Sequence, residues 1–302
     1  MAEKIKLFFL GTSGAIPTAD RNHTSILLTY GGENILIDCG EGTQRQFRKA
    51  KLNPCKLTKI LITHWHGDHV LGLPGLMQTL AFSEYQKGLT IYGPKGTKKY
   101  LANMFKTFAF VNKFPIKVVE VTKEGVFFEN GDFYIEARKM FHNVPCNAYS
   151  FIQKGERRVD KKKLKSSGLP PGPLLQKLKQ GKDVVFKGKK YESKDLTFEE
   201  EGKKVSFVLD TKLNKNIVPF VKNADVLVCE ATFEHGKEEL ARGRYHLTSG
   251  QAAEIAKRAD VKRLILTHIS QRYEKNTEPV LKEATKIFKK SSLIDDLYWV
   301  QV

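Results

Sequence analysis

Cysteine is scarce in this chain of 302 residues. The four cysteines are scattered and form no C-x-x-C pair: Cys39, Cys55, Cys146 and Cys229. Disulfide-stapled secreted domains and thiolate zinc modules need closely spaced cysteines, so both classes are excluded. The pattern favours a reduced, cytoplasmic protein whose thiols are structural. Cys146 follows His142 closely, so it is either a metal ligand or a small buried residue, and its apolar character favours the second.

Long apolar runs are also missing. No run approaches the roughly 20 residues that a membrane-spanning helix requires. The chain passes from Met1 almost directly into a strand-like run at Ile5 to Leu10, which predicts no secretory signal. We therefore expect a soluble globular protein with no membrane partner, long enough for one α/β domain or two small ones.

Acidic residues are too few to balance the basic ones: 33 Asp and Glu stand against 51 Lys and Arg, giving a net charge of +18. Residues 153–190 alone hold 13 basic and 3 acidic residues, a net +10. Gly168 to Pro173, within this segment, cannot continue a helix or a central strand. The segment is either a solvated linker or an inserted arm that binds a polyanion, and its charge favours the arm. Its candidate phosphate contacts are Lys161, Lys162, Lys163, Lys177 and Lys179.

Short apolar runs and helical patterns along the rest of the chain predict an α/β fold. The predicted strands cover residues 5–10, 25–29, 34–38, 59–63, 90–92, 116–121, 126–128, 133–139, 204–209, 226–229, 263–266 and 297–302. The predicted helices cover 44–51, 76–85, 98–108, 249–259 and 279–288, with a helical turn at 177–180. Thr248 or Ser249 is the expected N-cap of the helix at 249–259. The loop at Gly11 to Gly14 is either a tight turn or a cradle for an anion.

The most informative stretch is H-x-H-x-D-H at residues 64–69, directly after a short apolar strand. Three imidazoles and a carboxylate emerging together at a strand end suit one or two divalent ions, zinc first. If the strand pattern persists, His64 and His66 point the same way while Asp68 and His69 continue round the turn. The stretch therefore begins two adjacent metal sites.

Further ionisable residues follow other predicted strands: His142, Asp210, Glu230 and His268. Sites in open α/β sheets form at the carboxyl ends of strands, so we expect these side chains to converge. One predicted metal site is then His64, His66 and His142, and the other is Asp68, His69 and His268. Asp210 has two carboxylate oxygens and can bridge the two ions. A bridged pair roughly 3.5–4 Å apart is suited to displacement at phosphorus.

This ligand order resembles that of the metallo-β-lactamase superfamily. Further blocks resemble its short-form ribonuclease Z (tRNase Z) family: Phe9 to Gly14, Asp38 to Gln44, Gly72 to Gly75, Glu230 to Phe233, His246 to Thr248 and Leu266 to Tyr273. The resemblance covers nearly the whole chain. Leu209 stands where the family usually has glycine, and because glycine tolerates positive φ and leucine does not, the sequence leaves the conformation of that turn open.

The resemblance implies a four-layer αβ/βα sandwich as a single domain over 1–302, with the segment 153–190 as an inserted arm. It implies two zinc ions per subunit (manganese is the alternative), a homodimer and a precursor tRNA substrate. The implied reaction is hydrolytic removal of the 3′ trailer after the discriminator nucleotide, leaving a 3′-hydroxyl on the tRNA. The arm would clamp the tRNA elbow.

The resemblance also implies roles for individual residues. Asp68 would be a general base as well as a ligand, and His246 would donate a proton to the leaving 3′-oxygen. Glu230 would orient His246 through a hydrogen bond. From the sequence itself, Arg272 and the loop at Gly11 to Gly14 are further candidate phosphate contacts.

Three other functions fit parts of the sequence. A thioesterase or lactonase would share every metal ligand, but a small neutral substrate gives no reason for a segment of charge +10. A non-catalytic RNA-binding protein would need no bridged metals. A structural zinc site is normally closed and often rich in cysteine, unlike this His and Asp set.

Overall fold

The computed structural model describes residues 4–109 and 113–302. The strands, numbered in chain order, are β1 (Lys6–Gly11), β2 (Ser25–Tyr30), β3 (Glu33–Ile37), β4 (Lys59–Leu61), β5 (Leu89–Gly93), β6 (Ile116–Glu120), β7 (Gly125–Glu129), β8 (Phe133–Met140), β9 (Cys146–Gln153), β10 (Glu156–Val159), β11 (Val184–Phe186), β12 (Lys189–Tyr191), β13 (Thr197–Glu200), β14 (Lys204–Val208), β15 (Val226–Glu230), β16 (Leu264–Thr267), β17 (Ser291–Leu293) and β18 (Trp299–Gln301). The helices are α1 (Thr43–Lys49), α2 (Gly67–Val70), α3 (Leu73–Phe82), α4 (Thr97–Thr107), α5 (Lys161–Ser167), α6 (Leu174–Lys179), α7 (Ser193–Leu196), α8 (Ile217–Val221), α9 (Glu238–Gly243), α10 (Ser249–Arg258) and α11 (Glu278–Ile287).

Two seven-stranded sheets dominate the chain. The first has the order β18-β1-β2-β3-β4-β5-β6, antiparallel from β18 to β3 and parallel from β3 to β6. The second has the order β17-β16-β15-β14-β9-β8-β7, and its strands β14 to β17 are parallel. Parallel strands end at one edge, so each sheet can present loop residues there together.

Helices cover one face of each sheet. Helices α1, α3 and α4 pack on the first sheet through a core that includes Phe47, Met77 and Leu101. Helices α8, α10 and α11 pack on the second sheet through residues such as Phe220 and Ile255. This arrangement buries an apolar stripe of each helix.

The two sheets meet through their other faces. The ring of Tyr30 in the first lies 5.6 Å from that of Phe151 in the second, and Tyr92 lies 5.0 Å from Phe127. The hydroxyl of Tyr149 also donates to the carbonyl of Ile62 at 2.7 Å. The layers are therefore helices, sheet, sheet and helices, which confirms the predicted αβ/βα fold class.

Two helices show why the sequence folds this way locally. In α3 the buried residues recur at helical spacing, at Leu73, Leu76, Met77, Leu80 and Ala81. Helix α10 begins with a capping box in which Thr248 and Gln251 exchange side-chain and backbone hydrogen bonds. Thr248, rather than Ser249, is therefore the N-cap.

The chain divides into two compact units. Unit 1 comprises residues 1–128, 135–151 and 204–302, as far as they are described, and unit 2 comprises 129–134 and 152–203. Unit 2 contains the ribbons β10–β13 and β11–β12 with helices α5, α6 and α7. It has its own small apolar core around Leu178, Val184 and Leu196. Its boundaries are wider than the predicted arm at 153–190. After that segment, β13 pairs with β10, and before it, the carbonyl of Asp132 accepts from the backbone N–H of Lys154.

Most predicted elements agree with the structure to within a few residues. Strand β9 was missed because its eight residues are almost all buried, so no polar alternation marks it. The short helices α8 and α9 and strand β17 were also missed. None of the helices in the described ranges is both long and apolar enough to cross a membrane.

Candidate metal centre

The first predicted metal site is assembled just beyond β4. His64, fully buried, has its Nε2 3.0 Å from His66 Nδ1, and His142 Nε2 lies 3.1 Å from the same His66 atom. A carboxylate oxygen of Asp210 lies 3.6 Å from His64 Nε2. These four atoms form one of the groups able to hold an ion. Ligands about 2.1 Å from one tetrahedral zinc would stand roughly 3.4 Å apart, close to these separations of 3.0–3.6 Å.

The second predicted site lies beside the first and shares Asp210. His69 Nε2 is 3.3 Å from Asp68 Oδ2 and 3.3 Å from His268 Nε2. Asp210 approaches both imidazoles, at 3.4 Å from His69 Nε2 and 3.1 Å from His268 Nε2. The structure therefore brings together all seven predicted ligands, and Asp210 occupies the bridging position.

Hydrogen bonds at the far nitrogens prepare these imidazoles for metal binding. The hydroxyl of Thr63 donates to Asp38 and so accepts from His64 Nδ1, at 3.1 Å. The hydroxyl of Thr232 donates to Glu230 and so accepts from His268 Nδ1, at 2.9 Å. With the proton on Nδ1, each ring turns a bare Nε2 towards its group, which is the state a metal ligand requires.

Asp38 orients side chains of both groups, although the sequence indicated it only as the first residue of the block Asp38 to Gln44. It is fully buried, and its Oδ2 accepts from His69 Nδ1 at 2.7 Å. It also accepts hydrogen bonds of 2.7 Å from the backbone N–H and the hydroxyl of Thr63. Asp38 thus fixes one ligand from each site. Its position after β3, a parallel neighbour of β4, could have indicated this role.

The electrostatics also fit cations. Burial lowers the pKa of His64, His66 and His142, so these rings are neutral and able to coordinate at pH 7. Burial opposes the charged form of His69, yet Asp210, Asp68 and Asp38 raise its pKa well above the usual value. Three carboxylates that stabilise a proton there would equally stabilise a metal cation. Within the described residues, the buried Oδ1 of Asp210 has no hydrogen-bond partner, as expected of an atom that could coordinate a metal.

The backbone turns sharply at three of these residues. Asp38, Asp210 and His268 have φ of 56°, 48° and 58°, in the left-handed region. Leu209, which stands where the family usually has glycine, is not among the described residues with positive φ. Asp210, the next residue, adopts the left-handed conformation instead. Asp is one of the few residues other than glycine that enter this region readily.

His246 lies next to the metal groups without being needed to complete either site. Its Nδ1 lies 3.0 Å from Glu230 Oε2, and its ring centroid is 5.2 Å from that of His268. Burial disfavours the charged form, but the Glu230 and Asp210 carboxylates raise the pKa of His246 to about 9. The ring is therefore held protonated, with Nε2 left as the nitrogen that meets a substrate.

Glu230 connects several parts of the centre. Besides His246, it accepts from the backbone N–H of Thr211 at 2.6 Å and of Leu247 at 3.1 Å, and from the hydroxyl of Thr232 at 2.7 Å. The carboxylate is fully buried. It therefore links the turn after Asp210 to the loop that carries His246.

Two sequence-based alternatives are decided by the structure. The loop at Gly11 to Gly14 is not an anion cradle: the N–H groups of Thr12 and Ser13 donate to the carbonyl of Asn22, and that of Gly14 donates to Ile269. The prediction that this loop holds phosphate is therefore wrong. Cys146 is buried against the backbone carbonyls of Leu209 and Asp210, and burial raises the pKa of its thiol, so it is a core residue and not a ligand.

The remaining predicted substrate contacts lie at the surface. Arg272 is exposed in the turn after His268. The five predicted lysines of unit 2 are also exposed, on α5 and α6: Lys161, Lys162, Lys163, Lys177 and Lys179. A groove of about 730 Å³ in this unit is lined by Lys161, Lys162, Lys179 and the exposed ring of Phe198.

Comparison with known proteins gives the class first. A family model described as a beta-lactamase superfamily domain matches residues 177–269, and one described as anti-Pycsar protein Apyc1 matches 5–113. The metallo-beta-lactamase fold protein YhfI from Bacillus subtilis superposes with a TM-score of 0.72 at 19% identity, covering 99% of this chain and 100% of that one. The chain thus has the metallo-β-lactamase fold, and its paired groups of His and Asp could hold metal ions.

Closer relatives identify the family. Ribonuclease Z of Methanothermobacter thermautotrophicus is 40% identical over 299 residues, covering 99% of this chain and 97% of its own length. Ribonuclease Z of Bacillus cereus strain G9842 is 38% identical over 306 residues, covering 97% and 98%. Human tRNase Z, short form, superposes with a TM-score of 0.71 at 26% identity, covering 98% of both chains. The chain belongs to the ribonuclease Z family of tRNA 3′-processing endonucleases.

Proposed function

We propose that this chain cuts precursor tRNA directly after the discriminator nucleotide, and that two zinc ions per subunit support the reaction. The observation that carries the proposal is the pair of ligand groups sharing Asp210, with the His246–Glu230 pair beside them. Imidazole and carboxylate donors suit zinc, with manganese as the alternative. The first ion would be held by His64, His66, His142 and Asp210. The second would be held by Asp68, His69, His268 and Asp210.

Bound zinc ions would lower the pKa of a water molecule and stabilise negative charge on the scissile phosphate. Asp68 directs its Oδ2 towards the second group, so its other oxygen would accept the proton of the attacking water. His246, protonated and oriented by Glu230, would donate from Nε2 to the leaving 3′-oxygen. The products are then a tRNA with a free 3′-hydroxyl and a trailer with a 5′-phosphate.

The first test is direct processing. Purified protein loaded with zinc is incubated with a tRNA transcript that carries a short 3′ trailer, and both new ends are mapped. We expect a single cut after the discriminator, abolished by a chelator and restored by zinc. Hydrolysis of a small ester or thioester with no cut in the transcript would keep the metal centre but contradict the proposed substrate.

The proton donor has its own test. Replacing His246 by Ala removes a general acid and should lower kcat by about 10²- to 10⁴-fold. Zinc content and precursor binding should stay at the wild-type level, because His246 is not needed in either ligand group. Loss of zinc in this variant would show that His246 holds the metal centre together.

We also propose that unit 2 binds the tRNA backbone through its exposed lysines. The triple variant Lys161→Ala, Lys162→Ala, Lys163→Ala should bind precursor more weakly and with a weaker dependence on salt. The slope of log affinity against log salt concentration should fall by about 1 for each phosphate that a lysine no longer neutralises. The matched control replaces three exposed lysines of unit 1, Lys282, Lys286 and Lys289, by Ala. An equal change in both triple variants would mean that only net charge matters.

A homodimer and a cytoplasmic location complete the proposal. The dimer is supported by the family resemblance, and light scattering of the purified protein would test it. The cysteines are free thiols, which supports a reducing compartment.

A further inference from the structure

A cavity of about 480 Å³ adjoins the metal centre, and His246 lines both. Its other lining residues come from the turn after Asp210 and from helices α9 and α10: Lys212, Leu213, Glu238, Glu239, Arg242 and Gln251. The reaction proposed above uses none of these six residues. The cavity is within the size range of small-molecule sites in proteins, about 300–1,000 Å³.

The position of His246 relates this cavity to one part of the substrate. A proton donor must lie within hydrogen-bond reach of the oxygen that it protonates. That oxygen is the 3′-oxygen of the nucleotide on the 5′ side of the cut, so the ribose of this nucleotide must lie beside His246. Its base is attached to the same ribose and needs a space next to His246. We propose that the cavity holds this base, an inference that rests on the role proposed for His246.

The lining groups suit a neutral heterocycle with donors and acceptors on its edge. Glu239 and Arg242 are both exposed, and within residues 4–109 and 113–302 neither forms an ion pair. Gln251 uses its Oε1 to accept from the backbone N–H of Thr248 at 3.0 Å, which leaves its amide N–H groups as donors. The cavity thus offers a carboxylate acceptor, a guanidinium and an amide donor, the groups that read base edges elsewhere.

Other ligand classes fit the cavity less well. An anion would meet the carboxylates of Glu238 and Glu239, and a metal cation would meet Lys212 and Arg242. Neither glutamate belongs to the groups able to hold an ion in the described chain. A base carries no net charge and avoids both conflicts.

Lys212 completes the site for a nucleotide. Its ammonium lies 5.1 Å from the ring centroid of Tyr245 and 6.0 Å from that of Phe141, which restrains the side chain by cation–π contacts. A lysine at the wall of a base pocket would contact the phosphate that joins this nucleotide to the preceding one. Base and phosphate would then be held on the same side of the cut.

The test uses a precursor in which the nucleotide before the cut has no base but keeps its ribose and phosphates. For the wild-type enzyme, kcat/KM on this abasic precursor should fall about 5- to 150-fold, which corresponds to 1–3 kcal/mol per bound base. The variants Glu239→Gln and Arg242→Ala should lose activity on the normal precursor but cut the abasic one at the wild-type rate. Arg244→Ala is the matched control, because Arg244 is exposed at the end of α9 but does not line the cavity.

Each outcome bears on a different claim. If the wild type cuts both precursors equally, or if the two variants lose the same factor on both, the cavity does not hold the base. If Arg244→Ala behaves like Arg242→Ala, the effect is one of charge and the proposal is also overturned. Absence of any cut in the normal precursor by the wild type would instead contradict the proposed function itself.

Discussion

Asp38 offers the sharpest test of how this centre is built, because it accepts a hydrogen bond from His69 directly and is linked to His64 through the hydroxyl of Thr63. Asp38→Asn is a clean perturbation: asparagine has the same shape and also tolerates the φ of 56° at this position. Its amide oxygen can still accept from the backbone N–H of Thr63, which now donates at 2.7 Å. The amide nitrogen must then face His69 Nδ1 and the hydroxyl of Thr63.

This exchange reverses a hydrogen bond that orients a ligand. His69 Nδ1 now donates to Asp38 Oδ2 at 2.7 Å, which leaves its Nε2 bare for the metal. An amide N–H₂ at this position is a donor, so it favours the His69 tautomer in which Nδ1 accepts and Nε2 carries the proton. A protonated Nε2 has no free lone pair and cannot coordinate a metal. Loss of such an orienting partner typically lowers metal affinity by about 10- to 100-fold, which is about 1.4–2.7 kcal/mol.

Competition with a chromophoric chelator measures the affinity of each zinc ion. We expect the affinity for one of the two ions, the one that His69 would hold, to fall about 10- to 100-fold while the protein stays folded. Asp260→Asn is the matched control, since Asp260 is exposed, has φ of 52° and lies outside the metal groups. If Asp38→Asn bound both ions as tightly as the wild type, Asp38 would not act through the tautomer of His69.

Two further predictions concern stability. At Gly72, an added Cβ would lie 2.1 Å from the carbonyl oxygen of Gly40, so Gly72→Ala should lower the free energy of unfolding by about 1–3 kcal/mol, measured with urea. Gly32→Ala is the control and should not lower it, because nothing among the described residues lies within 4 Å of a Cβ added there. Equal urea midpoints for the two variants would contradict the close packing around Gly72. Burial raises the pKa of Asp296 to about 6 from 3.8, so its contribution to stability is fully present below pH 3.8 and is lost as the pH rises through about 6. When the pH is lowered from 8 to 5, the free energy of unfolding of the wild type should therefore rise by about 1.4 kcal/mol relative to that of Asp296→Asn. If the difference in free energy between the two proteins stayed constant over this range, the carboxyl of Asp296 would not titrate with a raised pKa.

The convergence of the seven predicted ligands could be foreseen because two sequence signals coincide at them. H-x-H-x-D-H places four candidate ligands, three His and one Asp, within six residues, and His142, Asp210 and His268 each follow an apolar strand. Parallel strands bring such residues to one edge, so chain order alone indicated the convergence. The fold class followed from the same alternation of strands and helices.

The supporting residues were harder to predict because their roles depend on contacts distant in sequence. Asp38 and His69 are 31 residues apart, and Thr232 and His268 are 36 residues apart. A threonine after a strand carries no local signal that its hydroxyl will orient a distant imidazole. The cavity beside His246 likewise depends on α9, a short helix that the sequence pattern did not reveal.

Unit 2 shows a different limit. Its apolar core residues, such as Leu169, Leu178 and Val184, are spread thinly among lysines, so the segment resembles a solvated arm in sequence. The pairing of β10 with β13 encloses residues 160–196, and residues 129–134 belong to the same compact unit. The excess of positive charge therefore distinguished this region in the sequence but did not give its boundaries.

The left-handed backbone at Asp38, Asp210 and His268 has a consequence for evolution in the laboratory. Each of these residues adopts a backbone conformation that glycine enters freely and that costs most other residues roughly 1–2 kcal/mol, although Asp pays less. At Asp38, glycine would relieve little strain and would leave buried donors of Thr63 and His69 without their acceptor, so it would destabilise the fold. A selection for thermostability without a selection for processing would therefore relax the backbone only at Asp210 and His268, and the resulting protein would lack predicted metal ligands at those two turns.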